Sequence, residues 1–463
     1  MQTKKDTTDR ADRTTGHATD RAAGRAADPR AARSRSDGAD RSDGSDGADG
    51  AGRAGGADGT SAATSTSAAT STSASAAAAR APVVIDLSGA ALGLPAPGGE
   101  REWVAQNFLP LQRELGSWLR AGVFPDCAAQ MPRLFPQGRV DAGKTAVCDT
   151  GDAPLWFIGD LHGDFLALLL ALNLAHTYDH SLPAERGGLA ASVPSNLFFL
   201  GDFIDEGPHA AEIMAWLFAS CMGRAFGGRR FSIMALLGNH DEGLAYDEGL
   251  RGFWSYVSPA NFFTQLNTSP DYALASAFGR AVCAFFRNLP RMALLNNNTL
   301  AVHGGVPHAE LTATIRNAAD LESADALTDY TWGRLLEDRP DGIPGRRAKT
   351  GAAIGWREFD RFIEVFARIK GAKPRLLLRG HDHKPRNFKW LERYENCRVL
   401  TLNNFTVNER GPKAGGRYRP VTLARLNRPQ SDPLDIHVFQ FDLPSALIEH
   451  CHHLPSILEN IAP

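Results

Sequence analysis

From residue 2 to residue 80 the sequence contains no Val, Ile, Leu, Phe, Trp or Tyr. A segment with nothing to bury cannot offset the entropy of ordering its backbone, so a disordered N-terminal tail is expected there. Ala, Gly, Ser, Thr, Asp and Arg dominate it, with Arg and Asp interspersed near balance, which argues for a solvated tail and against a basic nucleic-acid arm. The first residues, Met1-Gln2-Thr3-Lys4-Lys5, lack the apolar run of a secretory signal.

Other absences narrow the function further. No run approaches the length of apolar chain that spans a bilayer; the longest candidate, Phe165 to Ala175, is too short. The cysteines, Cys127, Cys148, Cys221, Cys283, Cys397 and Cys451, form no CxxC pair, which suits a reducing compartment and inert thiols. With 50 Lys and Arg against 52 Asp and Glu there is no excess positive charge to neutralise a phosphate backbone. The expectation is a soluble, cytoplasmic protein with no membrane or nucleic-acid partner, with export by a route that reads the tail left open.

What is present begins at Val83, where apolar and aromatic residues appear in quantity sufficient for one large core. Glu100 to Leu119 has Trp103, Phe108, Leu111, Leu115 and Leu119 near helical spacing despite Pro110. Pro132 to Asp152 reads as loops around one short strand. Then Leu155 to Ile158 reads as a buried strand, followed by the turn Gly159 to Gly163 and a helix to about Thr177 that Asp164 is placed to cap. Leu197 to Leu200 and Phe231 to Leu237 repeat the strand-then-polar-turn pattern, with a helix between them reaching Phe218.

Further on, Tyr246 to Leu289 reads as a helix-rich subdomain, and Ala313 to Arg368 as two helical stretches around a loop from Asp338 to Thr350. Met292 to Val302, Leu376 to Arg379, Cys397 to Leu402 and Asp435 to Phe441 add strands. Strands alternating with helices, each strand ending in a polar turn, indicate an α/β domain (α+β in some schemes) with its ligands at strand ends. The run His450-Cys451-His452-His453 is contiguous and has no partner at ligand spacing, so a surface or packing role is expected.

Five turns carry chemistry: Gly159-Asp160-Leu161-His162-Gly163-Asp164, Gly201 to Gly207, Gly238-Asn239-His240-Asp241, His303-Gly304-Gly305 and Arg379-Gly380-His381-Asp382-His383. Asp160, His162, Asp202, Asn239, His303 and His381 form a donor set of oxygens and imidazoles without thiolate, suited to Mn²⁺, Fe²⁺ or Zn²⁺. Six donors exceed what one open ion needs, and Asp202 can serve two. A lone Asp or His after a strand is commonly a cap; five such turns in one chain are not explained that way.

These turns resemble the signature of the calcineurin-like metallophosphoesterases, and within them the phosphoprotein phosphatases, whose motifs read GDxHG, GDxxDRG, GNHE, HGG and a late Arg-x-His. The resemblance runs from about Leu155 to Phe441. It implies a central β-sandwich flanked by helices and two divalent ions, Mn²⁺ by preference, with Fe or Zn as alternatives. It places Asp160 and His162 on the first ion, Asp202 between the ions, and Asn239, His303 and His381 on the second. It makes His240 the general acid oriented by Asp205, with a hydroxide bridging the ions as nucleophile and no phosphoenzyme.

The expected organisation is a tail over 1–82, a helical lead-in over 83–152, the catalytic domain over 153–445 and a C-terminal tail over 446–463.

Two positions depart from the pattern. Glu206 stands where the family has a phosphate-binding Arg, so either Glu206 points away or another cation compensates: Arg346, Arg347 or Arg334. His383 has no counterpart in the phosphoprotein phosphatases, whereas other branches place a second His on the first ion; ligand and surface roles both stay open. Three functions are weighed: a serine/threonine protein phosphatase acting on a phosphorylated protein, a nucleotide pyrophosphohydrolase like the diadenosine-tetraphosphate hydrolases, and an inactive phospho-binding module.

Overall fold

Leu155–Ile158 (Leu-Trp-Phe-Ile) is buried at all four positions, which a strand achieves only when both faces of its sheet are covered. That strand sits inside a two-sheet architecture, seen in a computed structural model that describes residues 81–126, 138–140, 144–296, 298–347, 351–391, 394, 396–407, 418–431 and 434–461. The chain divides into two units, Met1–Thr72 and Ser73–Pro463, and the described residues lie in the second. The tail expected at the N-terminus lies outside the described residues up to residue 80.

Along the chain the strands are β1 (Val83–Asp86), β2 (Gly138–Val140), β3 (Thr145–Cys148), β4 (Leu155–Ile158), β5 (Ser195–Phe199) and β6 (Phe231–Ala235). There follow β7 (Leu244–Asp247), β8 (Gly252–Ser255), β9 (Met292–Leu295), β10 (Thr299–Val302), β11 (Arg334–Leu335), β12 (Ile343–Arg347) and β13 (Gly351–Ile354). The last are β14 (Leu376–Arg379), β15 (Phe388–Leu391), β16 (Arg398–Leu402), β17 (Val421–Arg428) and β18 (Asp435–Phe441). Six of them form a sheet in the order β1-β18-β17-β4-β5-β6, and seven form another in the order β15-β16-β14-β10-β9-β3-β2.

The two sheets make the sandwich that the resemblance implied. In β14, Leu376 and Leu378 join the core cluster that contains Phe157, Phe198 and Leu423, whereas Leu377 joins Tyr330, Phe359, Phe362 and Phe366. That alternation is the period-two geometry of a strand buried on both faces. The second cluster is completed by the helix Trp356–Lys370, which buries Phe359, Phe362, Ile363 and Phe366 as one stripe at helical spacing.

Parallel pairing decides where the turns converge. β4, β5 and β6 run parallel, joined by the helices Phe165–Ser181 and Ala210–Cys221. β10, β14 and β16 are parallel to one another in the other sheet. The turns after these strands meet at one end of the sandwich, where an isolated bridge between Asp160 and Asn403 ties the end of β4 to the end of β16.

Several segments differ from expectation for physical reasons. Residues 83–152 supply the helices Glu100–Trp103 and Leu109–Arg120, joined by a π turn over Val104–Phe108, but also three strands. Pro110 lies at the start of the second helix, where a missing N–H costs little. The stretch expected to be helical from Tyr246 opens with the hairpin β7–β8, and the Asp338 to Thr350 loop contributes to a small sheet of β11, β13 and β12. β17 was not anticipated. Its Arg425 is fully buried because Asp179 Oδ1 accepts from Arg425 Nε at 3.0 Å and Nη2 at 2.8 Å, while Asp179 Oδ2 accepts from Trp156 Nε1 at 3.0 Å.

Asp164 caps the helix Phe165–Ser181 by accepting from the Ala167 N–H at 2.9 Å. The contiguous histidines fall at the end of the helix Ser445–His452, where Cys451 is buried and His452 Nε2 lies 3.6 Å from Asp164 Oδ2. Cys148, Cys221, Cys283, Cys397 and Cys451 are all buried thiols. Among the described residues no helix is long and apolar enough to cross a membrane.

Candidate metal centre

Each functional turn begins where a parallel strand stops, and several of its residues hold left-handed backbone angles that only a surrounding scaffold stabilises. These are His162 (φ 44°), Asp202 (55°), Asp205 (70°), Glu206 (56°) and His381 (66°). The glycine before a ligand is needed for close approach. A Cβ on Gly238 would stand 2.1 Å from Asp202 Oδ1, and one on Gly380 would stand 2.1 Å from Asp160 Oδ1.

Asp160, His162 and His383 form one donor group, with ligand atoms all within 4.8 Å of one another; Asp202, His303 and His381 form another. In the first, His162 Nε2 lies 3.0 Å from His383 Nε2, and each is close to Asp160 Oδ2, at 3.9 and 3.8 Å. In the second, His303 Nε2 stands 3.2 Å from Asp202 Oδ2 and 3.0 Å from Asn239 Oδ1. Asp202 Oδ2 is also 3.6 Å from His162 Nε2, so this one oxygen faces both groups. All the expected ligands are therefore brought together, and His383 faces the first group.

The chemistry of these donors fits divalent cations. His303 Nδ1 lies 2.9 Å from the Leu200 carbonyl, an arrangement that holds the N–H there and turns Nε2 toward the oxygens. His381 Nε2 is buried with no hydrogen-bond partner, while its Nδ1 faces Asn239 Oδ1 at 2.7 Å. Burial, together with the Asp202 charge, pushes the Asp160 carboxyl up to about 7. Burial opposes charge on His303, yet the Asp202 carboxylate pushes it up to about 9. Protons thus balance carboxylates here in positions that a divalent ion would take over. Burial also holds His162 and His381 far below the usual histidine range, the neutral form that ligates.

His240 occupies the adjoining turn. Its Nδ1 lies 3.1 Å from Asp205 Oδ2, and Asp205 Oδ1 in turn accepts from the N–H groups of Asn261 and Phe262 at 3.2 and 3.1 Å. The subdomain after β8 therefore fixes the carboxylate that orients the imidazole. Burial works against a charged His240, but Asp202, Asp205 and Glu206 outweigh it and push the group up to about 9.

Sequence reasoning overlooked the residues that position the ligands. Asp241 accepts from the N–H groups of Asp202, Phe203 and Gly238, each at 2.9 Å, locking the turns after β5 and β6 together. Asn403 donates to Asp160 Oδ2 at 2.9 Å, beside the His381 N–H at 3.0 Å. Asp382 receives Arg379 Nη1 and Arg334 Nη1, each at 2.5 Å. An acid after the His of the third turn was visible in Gly238-Asn239-His240-Asp241; nothing local marks Asn403.

The phosphate-binding candidates divide. The side chains of Arg346 and Arg347 lie outside the described residues. Arg334 is about half exposed, at 48%, and tied to Asp382 at the rim. Glu206 does not point away: its side chain is 5% exposed and its Oε1 lies 4.0 Å from His162 Nε2. Of the two expectations for this departure, a turned-away carboxylate is ruled out.

A family model described as calcineurin-like phosphoesterase matches residues 153–385. Curated relatives include the catalytic subunit of serine/threonine-protein phosphatase 4 from Kluyveromyces lactis, 26% identical over 224 residues covering 46% of this chain. Another is the serine/threonine-protein phosphatase 2B catalytic subunit A2 from Saccharomyces cerevisiae, 26% identical over 215 residues and again 46% of this chain. The matches span 59% and 30% of those relatives' own lengths. A solved protein serine/threonine phosphatase from Saccharomyces cerevisiae, described as similar to human phosphatase PP5, aligns over 74% of this chain and 96% of its own with TM-score 0.44 and 17% identity.

Proposed function

The chain belongs to the calcineurin-like phosphoesterases, and from that premise we propose that it is a phosphomonoesterase using two divalent ions, Mn²⁺ by preference, with phosphorylated serine or threonine side chains of proteins as its substrate class. One observation carries the reading: Asp202 faces two donor groups at once, and the buried His240–Asp205 pair lies in the adjoining turns.

In this reading Asp160, His162 and His383 would hold one ion and Asn239, His303 and His381 the other, with Asp202 available to both. When bound, the ions supply Lewis acidity toward the phosphoryl oxygens and activate water at neutral pH. The protein's own part is orientation and proton transfer. Asp205 holds His240 Nδ1, which leaves Nε2 to donate a proton to the leaving oxygen as its bond to phosphorus breaks and the oxygen of water bonds in its place. The proton shed by water restores His240. The similarity to serine/threonine phosphatases favours a phosphoprotein over a dinucleotide, and no observation favours the second.

The test is a substrate panel. Protein loaded with Mn²⁺ is expected to hydrolyse an aryl phosphate and a phosphoserine peptide, and to act on a dinucleoside polyphosphate more slowly. Preference for the dinucleotide would move the assignment to a pyrophosphohydrolase. Absence of turnover with every divalent ion and every substrate would remove the enzymatic reading.

A further inference from the structure

The site presents a difficulty to an anionic substrate. Asp160, Asp202 and Glu206 all have buried carboxyl groups around it, and a phosphomonoester brings up to two more negative charges. The ions of the proposed function would offset Asp160 and Asp202, but Glu206 is not among their ligands. A protein cation with donors to spare is what would answer it and orient the phosphoryl oxygens. Arg379 donates to Gly304 O and to Asp382, and Arg334 to Asp382. Each gives donors to an acceptor of the protein itself, Arg379 through both Nε and Nη1, although Arg379 Nη2 is buried without a hydrogen-bond partner.

Arg419 is different. Its guanidinium carbon lies 4.6 Å above the ring of Phe405, and that ring packs edge-on against both His162, at 5.1 Å between centroids, and His383, at 4.7 Å. Arg419 Nη1 is buried and has no hydrogen-bond partner. A buried guanidinium donor without an acceptor is costly, and such a group is retained where a ligand supplies the missing oxygen. The carboxylates of Glu206 and Asp160 both act on its charge, and its own charge acts on His383, in keeping with its stack on a ring that touches His162 and His383.

The placement is also rigid. The Arg419 N–H donates to the Thr406 carbonyl at 3.1 Å, and the Thr406 N–H donates to Asp164 Oδ2 at 2.8 Å. Thr406 and Arg419 are thereby tied to the turn that carries His162.

We infer that Arg419, stacked on Phe405, is the residue that grips the phosphoryl oxygens of the substrate, and that Glu206 opposes it and limits how tightly phosphate is held. The inference rests on the phosphoesterase reading above. A planar guanidinium resting on an aromatic face keeps its donor edge free for two oxygens at once, which a lysine ammonium does not reproduce. Glu206 then acts as a counterweight: it hinders entry of the dianion and favours departure of inorganic phosphate.

The experiment uses the full chain loaded with Mn²⁺, an aryl phosphate for turnover, and inorganic phosphate for binding by calorimetry and by competitive inhibition. Arg419→Ala is expected to raise KM and weaken phosphate binding by roughly ten- to a hundredfold, the scale of one or two charge-assisted hydrogen bonds, with metal content unchanged. Arg419→Lys recovers only part of the loss, and Glu206→Gln tightens phosphate binding. The pair Glu206→Arg with Arg419→Ala regains phosphate affinity over Arg419→Ala alone, a rescue that a packing role for Arg419 would not give. If Arg419→Ala does not fold, Arg419→Gln keeps the stack and removes the charge.

Unchanged KM and phosphate affinity in these variants would overturn the inference while leaving the phosphoesterase reading intact. Phosphate binding that depends on Arg419 in a protein without turnover would support the inference and remove the enzymatic reading. Wild-type protein that neither turns over a phosphoester nor binds phosphate would overturn both.

Discussion

The Asp202 carboxylate, on the turn after β5, stands 3.2 Å from His303 Nε2 on the turn after β10, so a residue of one sheet meets a residue of the other across the end of the sandwich. Asp202→Asn removes the negative charge at the point where the two donor groups meet. Its Mn²⁺ affinity is expected to fall by more than the roughly 10–100-fold typical of losing an outer partner of a ligand, read by elemental analysis after dialysis. Retention of two ions per chain in this variant would contradict the bridging role.

Metal removal should register in stability as well as turnover. Chelation is expected to abolish phosphoester hydrolysis and lower Tm, and Mn²⁺ at about a hundred times its Kd should return roughly 2.7 kcal/mol of stability per ion bound. A Tm insensitive to chelator would mean that the described donor groups hold no ion.

His240→Asn tests the acid. The substitution keeps a polar side chain beside Asp205 and removes the transferable proton. A fall in kcat of about 10²–10⁴ with unchanged metal content is expected. An equal fall in metal content would instead make His240 a ligand, the alternative that its proximity to His162 and Glu206 poses.

Asp241 offers a test of positioning. Its carboxylate satisfies three backbone N–H groups on two turns. In Asp241→Asn at least one of these loses its acceptor, at a cost of about 1–3 kcal/mol. Urea unfolding should show that loss together with weaker metal binding, because Asp202 and Asn239 lie on the turns that Asp241 ties together.

Far from the site, Asp179→Ala leaves Trp156 Nε1 buried without its acceptor and Arg425 without its carboxylate, with only the neutral oxygens of Gly187 and Asn427 remaining. A buried ion pair broken on one side costs about 3–5 kcal/mol. The folded fraction should keep its kcat, which separates this stability effect from the others.

The legible part of the molecule was that in which local sequence and tertiary role coincide. Leu155–Ile158 and Leu376–Arg379 are short apolar runs closed by polar turns, and both form strands at the places expected. β17 escaped because Val-Thr-Leu-Ala-Arg-Leu-Asn-Arg carries a charge, Arg425, whose burial depends on Asp179, 246 positions away. Arg419 and Asn403 escaped for the same reason. Neither belongs to a turn motif, and each gains its role from a side chain brought near by the pairing of strands distant in sequence. The hairpin β7–β8 lay hidden in a stretch whose aromatic content fits a helix or a strand equally well.

The order β1-β18-β17-β4-β5-β6 sets a timetable for synthesis. A nascent chain that has made β4, β5 and β6 already carries the turns of Asp160, Asp202 and His240, yet one flank of β4 waits for β17 until β7 to β16 have also been made. Until then β4 is an open edge of Leu-Trp-Phe-Ile, the kind of surface on which other strands add. Yield in the cell should therefore depend on how well that edge is guarded during translation, even though the finished fold shows no trace of the interval.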